Sequence, residues 1–151
     1  MVKKIISGGQ TGTDRAALDF AIKHNIPPHG GWIPRGRKAE DGPLPHGYHL
    51  KEMPTAAYPK RMEQNVRDSD GTVIISHGRL TGGSAFTAAM ARRHKRPWLR
   101  LDMARTTVDE AAQRLREWIT DSNISVINVA GPRQSKDPNR WTTVNDLIPL
   151  F

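Results

Sequence analysis

Ser7-Gly8-Gly9-Gln10-Thr11-Gly12-Thr13-Asp14-Arg15 is the stretch whose reading decides the fold. Ahead of it, Lys3-Lys4-Ile5-Ile6 is short, β-branched and apolar, the character of a buried strand. Behind it, Ala16-Ala17-Leu18-Asp19-Phe20-Ala21-Ile22-Lys23-His24 has apolar residues at helical spacing, which predicts a helix near 13–24. A glycine-rich turn between a buried strand and a helix leaves backbone N–H groups pointing outward. The helix dipole adds positive potential there, so the turn suits a phosphate or another anion. Glycine lets the chain bend sharply and a ligand come close. Thr11 and Thr13 can cap the helix and offer hydroxyls to an anion. Gly8, Gly9, Gln10, Thr11, Gly12 and Thr13 are therefore the first candidate binding residues. The turn lacks the Gly-Lys-Ser/Thr ending of a Walker loop and is not GxGxxG.

The same architecture returns downstream. Thr72-Val73-Ile74-Ile75-Ser76 is a continuous β-branched run, as in a parallel strand buried on both faces. Leu80-Thr81-Gly82-Gly83-Ser84 follows, then a small-residue helix over 85–93 with Ser84 as its expected N-cap. Thr81, Gly82, Gly83 and Ser84 form a second candidate group. A third turn, Ala130-Gly131-Pro132-Arg133-Gln134-Ser135, follows the expected strand 125–129 and adds Gly131 and Arg133. With strands also at 29–33 and 98–101, the expectation is a three-layer Rossmann-like α/β sandwich around a mostly parallel five-stranded sheet, one domain over 1–151. A strand order of 2-1-3-4-5 would make the first and third strands neighbours and open both glycine turns on one pocket at a topological switch point.

Residues 34–57 differ, with Pro34, Pro43, Pro45 and Pro54 breaking regular structure. Long irregular segments in compact domains are commonly functional. This one reads as a loop folding over the site, with Arg35 and Arg37 as planar forks for phosphate and Asp41 as an acceptor for a ribose or base. His46-x-x-His49 lacks a third ligand, and no metal site is expected. A helix over 58–68 sets Arg61 and Asn65 four apart on one face, with Glu63 to the side. Pro27-Pro28 stops the first helix, Thr107 to Glu110 spells a capping box, and Val108, Ala111, Ala112, Leu115, Trp118 and Ile119 trace a core-facing stripe. Arg92-Arg93-His94-Lys95-Arg96 reads first as cations favouring a helix C-terminus and second as a nucleic-acid patch. A short final helix is expected near 141–147.

The chain has 151 residues, no cysteine and a net charge of +8. These values suit one core, exclude disulfides and thiolate metal sites, and favour anionic partners. No apolar run approaches the roughly 20 residues of a membrane span, and the N-terminus has no signal-peptide pattern. The expectation is a cytoplasmic protein without membrane association.

The stretch 7–19 resembles the signature of the family known as putative molybdenum carriers, also described as the circularly permuted YpsA-like branch of the SLOG superfamily and related to the LOG/lysine-decarboxylase-like Rossmann proteins. Residues 35–45, 61–72, 81–84 and 128–133 resemble its further blocks. Met62 departs from the pattern, which has threonine there. The resemblance implies a Rossmann-like fold binding a nucleotide or nucleotide-derived ligand at the glycine loops. Molybdenum cofactor, a pterin carrying a phosphate with the metal in its own dithiolene, would need anion loops and a lid rather than cysteines. A plain nucleotide would need the same.

Three functions follow. One is a carrier or sensor for a phosphorylated nucleotide-like ligand, with molybdenum cofactor or a nucleotide bound. A second is a nucleotide N-glycosidase-type hydrolase, as some LOG relatives resemble, with Glu63, Asp14, Asp41 or Asp70 as the working carboxylate. The third, ranked below these, is single-stranded nucleic-acid binding. The chain is expected to form a homo-oligomer.

Overall fold

The computed structural model describes residues 2–26 and 29–137. The Pro27-Pro28 helix stop and the helix expected near 141–147 lie outside the described residues. In chain order the elements are β1 (Lys4–Ile6), α1 (Thr13–Lys23), β2 (His29–Gly30), β3 (Trp32–Ile33), β4 (Lys51–Glu52), α2 (Tyr58–Asp68), β5 (Gly71–Ser76), α3 (Gly82–Arg93), β6 (Trp98–Asp102), α4 (Val108–Asp121) and β7 (Val126–Ala130).

The main sheet is five-stranded and wholly parallel, in the order β2-β1-β7-β5-β6. The expected order is corrected: the fifth main strand lies in the centre, between the first and the third. Burial explains the placement. Ile127, Asn128 and Val129 are all buried, so β7 needs a neighbour on each side. Trp98–Asp102 is only half-buried at most positions and suits an edge. Asn128 meets the cost of a buried amide by donating from Nδ2 to Thr72 Oγ1 across the strands, at 3.2 Å. Asp70 sets the start of β7: its Oδ2 accepts from Ser125 N at 3.0 Å and Val126 N at 2.7 Å.

Helices α1 and α4 cover one face. Ala16, Ala17 and Ala21 meet Ala111, Ala112, Leu115 and Ile119 over Ile5, Val73, Leu101 and Ile127. On the other side α2 and α3 pack together through Val66, Met90 and Ala91. The Thr107–Glu110 capping box forms in both directions. The other expected caps do not. Gly12 and Thr81 occupy the N-cap positions of α1 and α3, neither with a side-chain cap bond. Helix α3 starts earlier than 85 because Gly82, at φ +52°, makes the left-handed entry that glycine tolerates, and this draws Ser84 into the first turn.

The expected strand 29–33 is two strands in two sheets. β2 pairs with β1, whereas β3 pairs with β4. The switch is Gly31, at φ +124°, where a Cβ would lie 2.2 Å from the carbonyl oxygen of Ser7. Asn65 brackets the switch, accepting from Trp32 N at 2.7 Å and donating to Trp32 O at 3.1 Å. Segment 34–57 thus has order of its own: β4, and a small core of Leu18, Ile33, Leu44 and Leu50. Arg37 is buried inside it and donates to the carbonyls of Leu44, Pro45 and Tyr48 at 2.7–2.8 Å. It shapes the loop and is not a phosphate fork. No helix among the described residues is long and apolar enough to cross a membrane.

Candidate functional site

A cavity of about 620 Å³ opens where β1, β5 and β7 end, a size suited to a small organic ligand. The central position of β7 puts the turns after these three strands side by side. Gln10 and Asp14 line the cavity from the first turn and the start of α1, Ser76, His77 and Arg79 to Ser84 from the second, and Ala130 to Arg133 with Lys136 and Asp137 from the third. Helix α2 adds Tyr58, Arg61 and Met62.

The first glycine turn is packed rather than open. Gly9 N donates to Ser7 Oγ, Gln10 N to Asp14 Oδ2, Thr11 N to Gln10 Oε1 and Thr13 N to Pro132 O, at 3.0–3.4 Å. A Cβ on Gly8 would lie 1.7 Å from Arg61 Nη1, and one on Gly12 would lie 2.6 Å from Pro132 O. Gly9 faces Ile33, Leu44 and Leu50 of the small core. Thr13 Oγ1 donates to Pro132 O at 3.4 Å. Of the six candidates in this turn, Gln10 alone lines the cavity.

The second turn is different. Thr81, Gly82, Gly83 and Ser84 all line the cavity. First-turn amides of a helix have no acceptor within the helix, and among the described residues none accepts from those of Gly82, Gly83 and Ser84. Gly83 sits against Met62, whose Cε is 2.9 Å from where a Cβ would be. In the third turn, Gly131 and Arg133 line the cavity, and Gly131 is pinned between Thr13 Oγ1 and Ile75 O.

Asp14 and Arg61 make a buried pair, Nη1 to Oδ2 at 3.4 Å. Burial raises the Asp14 carboxyl above its ordinary pKa, against the lowering pull of Arg61. Burial lowers the Arg61 guanidinium, against the raising pull of Asp14. Arg61 Nε is buried without a hydrogen-bond partner.

Beyond the first turn, five more expected site residues stand outside the cavity. Asn65 brackets Trp32 as described. Arg35 begins the loop, exposed, with its amide on Thr55 O. Asp41 binds Arg15 through both carboxylate oxygens, at 2.5 and 3.0 Å. Glu63 lies 3.8 Å from Arg93 Nη1 and 3.6 Å from His94 Nε2 at the end of α3. Asp70 serves β7. Most of the basic cluster has structural partners too: Arg92 over the Trp98 ring, Arg93 beside Glu63, and Arg96 on the Arg67 carbonyl.

Two features of the site carry no local sequence signal. No residue of segment 34–57 lines the cavity, so the expected cover is corrected; Glu40 instead ties this segment to two turns beside it, accepting from Thr11 Oγ1, Ser135 N and Ser135 Oγ. Burial works to raise this carboxyl, but the hydrogen bonds from Ser135 and Thr11 and the charge of Arg133 hold it below the ordinary value. His77, directly after β5, sets Nδ1 2.9 Å from Asp137 Oδ2, off the line of the ring N–H.

A parallel sheet with helices on both faces, and a cavity at the carboxyl ends of its strands, defines a Rossmann-like α/β domain. The chain belongs to the circularly permutated YpsA SLOG family, whose model matches residues 5–149. It is similar to the crystal structure of a protein named putative molybdenum carrier protein, from Syntrophus aciditrophicus SB. The two are 55% identical with a TM-score of 0.97, over 99% of this chain and 94% of that one. No curated protein matches the chain significantly.

Proposed function

We propose that this protein binds a phosphorylated, nucleotide-like small molecule in the cavity, as a carrier or sensor. The observation that carries the reading is the unpaired first turn of α3, which opens into a cavity lined by Arg61, Arg79, Arg133 and Lys136. Helix-terminal amides and nearby cations attract an anion together. Tyr58, Met62, Leu80 and Phe86 give the same cavity an apolar side for an organic body. The name of the Syntrophus relative makes molybdenum cofactor one cargo to test, beside plain nucleotides. A cytoplasmic location and a homo-oligomeric assembly belong to this reading, to be checked by fractionation and light scattering.

The test is mass spectrometry of small molecules released from the purified protein, with calorimetric titration of nucleotides and molybdenum cofactor. A phosphorylated heterocycle should be found, and Gly83→Val should weaken its binding at least tenfold. If no phosphorylated compound is released or bound, the reading is wrong.

One observation supports a hydrolytic reading. Of the carboxylates considered for N-glycoside cleavage, Asp14 alone lines the cavity, and its burial favours a held proton. Release of free base from a nucleoside monophosphate, lost in Asp14→Asn, would establish it. Intact nucleotide after prolonged incubation would remove it.

A further inference from the structure

We infer that Met62 makes the cavity select a phosphate carried directly on an aromatic ring over a phosphate carried on a sugar. This deepens the reading of the cavity as an anion site and rests on it.

The first turn of α3 has two unlike flanks. Outside its own helix, and among the described residues, a Cβ on Gly82 would come within 4 Å of Lys136 Nζ alone, at 2.7 Å. A Cβ on Gly83 would come that close to Met62 alone, with Cε at 2.9 Å and Sδ at 3.6 Å. The cation arrives from the turn after β7 and the thioether from α2. An anion on these amides has a charge on one side and an apolar chain end on the other. Arg61 gives an independent sign of a ligand: its side chain is 6% exposed, it lines the same cavity, and its Nε–H has no partner.

Met62 belongs to a strip of like character. Tyr58 lies one turn before it on α2, and Phe86 one turn after Gly83 on α3, at the spacings that share a helix face. Both line the cavity, as does Leu80 ahead of α3. The Tyr58 ring is held by cations, with Lys38 Nζ 4.5 Å and Arg61 Cζ 5.8 Å from its centroid. A thioether packs favourably against an aromatic ring, and aromatic rings pair edge-to-face or offset. The group attached to a phosphate at Gly83 meets this strip first.

A sugar finds less there. Dinucleotide sites commonly give the ribose hydroxyls a carboxylate. Among the described residues two carboxylates line this cavity, and both already have partners. Asp14 Oδ2 accepts from Arg61 Nη1 and from Gln10 N, at 3.4 Å each. Asp137 Oδ2 stands 2.9 Å from His77 Nδ1. Hydroxyls laid against the Met62 thioether give up water without a partner in return.

The experiment titrates the full chain, labelled for NMR, with phenyl phosphate and with ribose 5-phosphate at about pH 8, where both are dianions. Both esters should shift the Gly82, Gly83 and Ser84 amides, and phenyl phosphate should bind roughly tenfold more tightly. Met62→Thr, with spectra unchanged away from the cavity, should bring the two affinities within about twofold, mainly through loss of phenyl phosphate. Met62→Leu, which keeps an apolar chain end beside Gly83, should keep most of the preference. Equal binding of the two esters by the parent, tighter binding of the sugar ester, or a preference unchanged in Met62→Thr overturns the role of Met62 while leaving the anion site standing. Failure of both esters to move those amides overturns the anion site as well.

Discussion

The turns after β1 and β5 are built from the same residue types and end in opposite states. Each places glycine and threonine between a buried apolar strand and a helix rich in alanine. After β1, backbone amides are taken up by Ser7, Asp14, Gln10 and Pro132, and the glycines make room for Arg61, the small core and the Pro132 turn. After β5, the first-turn amides of α3 open on the cavity. Glycine permits close approach, but the neighbours decide what approaches. At the first turn it is the protein itself; at the second, space remains for a ligand.

The largest effect that would break this contrast is at Gly8. In Gly8→Val the side chain displaces the Arg61 guanidinium from its buried pair with Asp14, at a cost of about 3–5 kcal/mol, read by denaturant unfolding. If Gly8→Val folds as stably as the parent, the first turn is not packed as described. Next is Thr107→Ala, which removes a cap in use and should cost about 1 kcal/mol. Thr81→Ala, at a cap position without a side-chain bond, should change stability by less than about 0.5 kcal/mol. Equal losses in the two would mean that the start of α3 is satisfied after all.

Glu40→Gln sharpens the contrast from segment 34–57. It weakens the tie between Thr11 and Ser135, and limited proteolysis should cut residues 34–50 several-fold faster. The pH direction follows from the depressed folded pKa of Glu40. Its contribution is full above the ordinary glutamate pKa, near about 4.3, and is lost as pH falls through the lower folded value. Loop protection in hydrogen exchange should fall over that acid range in the parent and stay flat in Glu40→Gln. The smallest stability effect is Gly83→Ala, where the added methyl meets only the mobile end of Met62. It should leave unfolding within about 0.5 kcal/mol of the parent and report on affinity alone.

What the chain reveals locally was legible. Helix α2 falls over 58–68 as expected, the β-branched run at 72–76 is the fully buried strand, and the Thr107–Glu110 box caps α4. These features depend on neighbours within a few residues. What was not legible depends on distant partners. Asn128 and Thr72 meet only because β7 enters the centre of the sheet, and nothing near either residue announces it. Arg37 looks like a surface cation until Leu44, Pro45 and Tyr48 curl around it. Glu40 joins Thr11 to Ser135, positions far apart in the chain. The glycines after β1 could not be told from those after β5, because what fills their space comes from α2, segment 34–57 and the turn after β7.

The placement of β7 also bears on how the molecule comes together during synthesis. The β1–β2 pair and the β5–β6 pair have no ladder to each other; Ile5 and Val73 are both bridged through β7, at Ile127 and Val129. A ribosome delivers the amino-terminal strands first, so two half-sheets with open edges must wait for the last strand to emerge before either is closed. The long separation of those pairings slows closure, and nascent chains stopped before Val126 expose the strand edges on which aggregation begins.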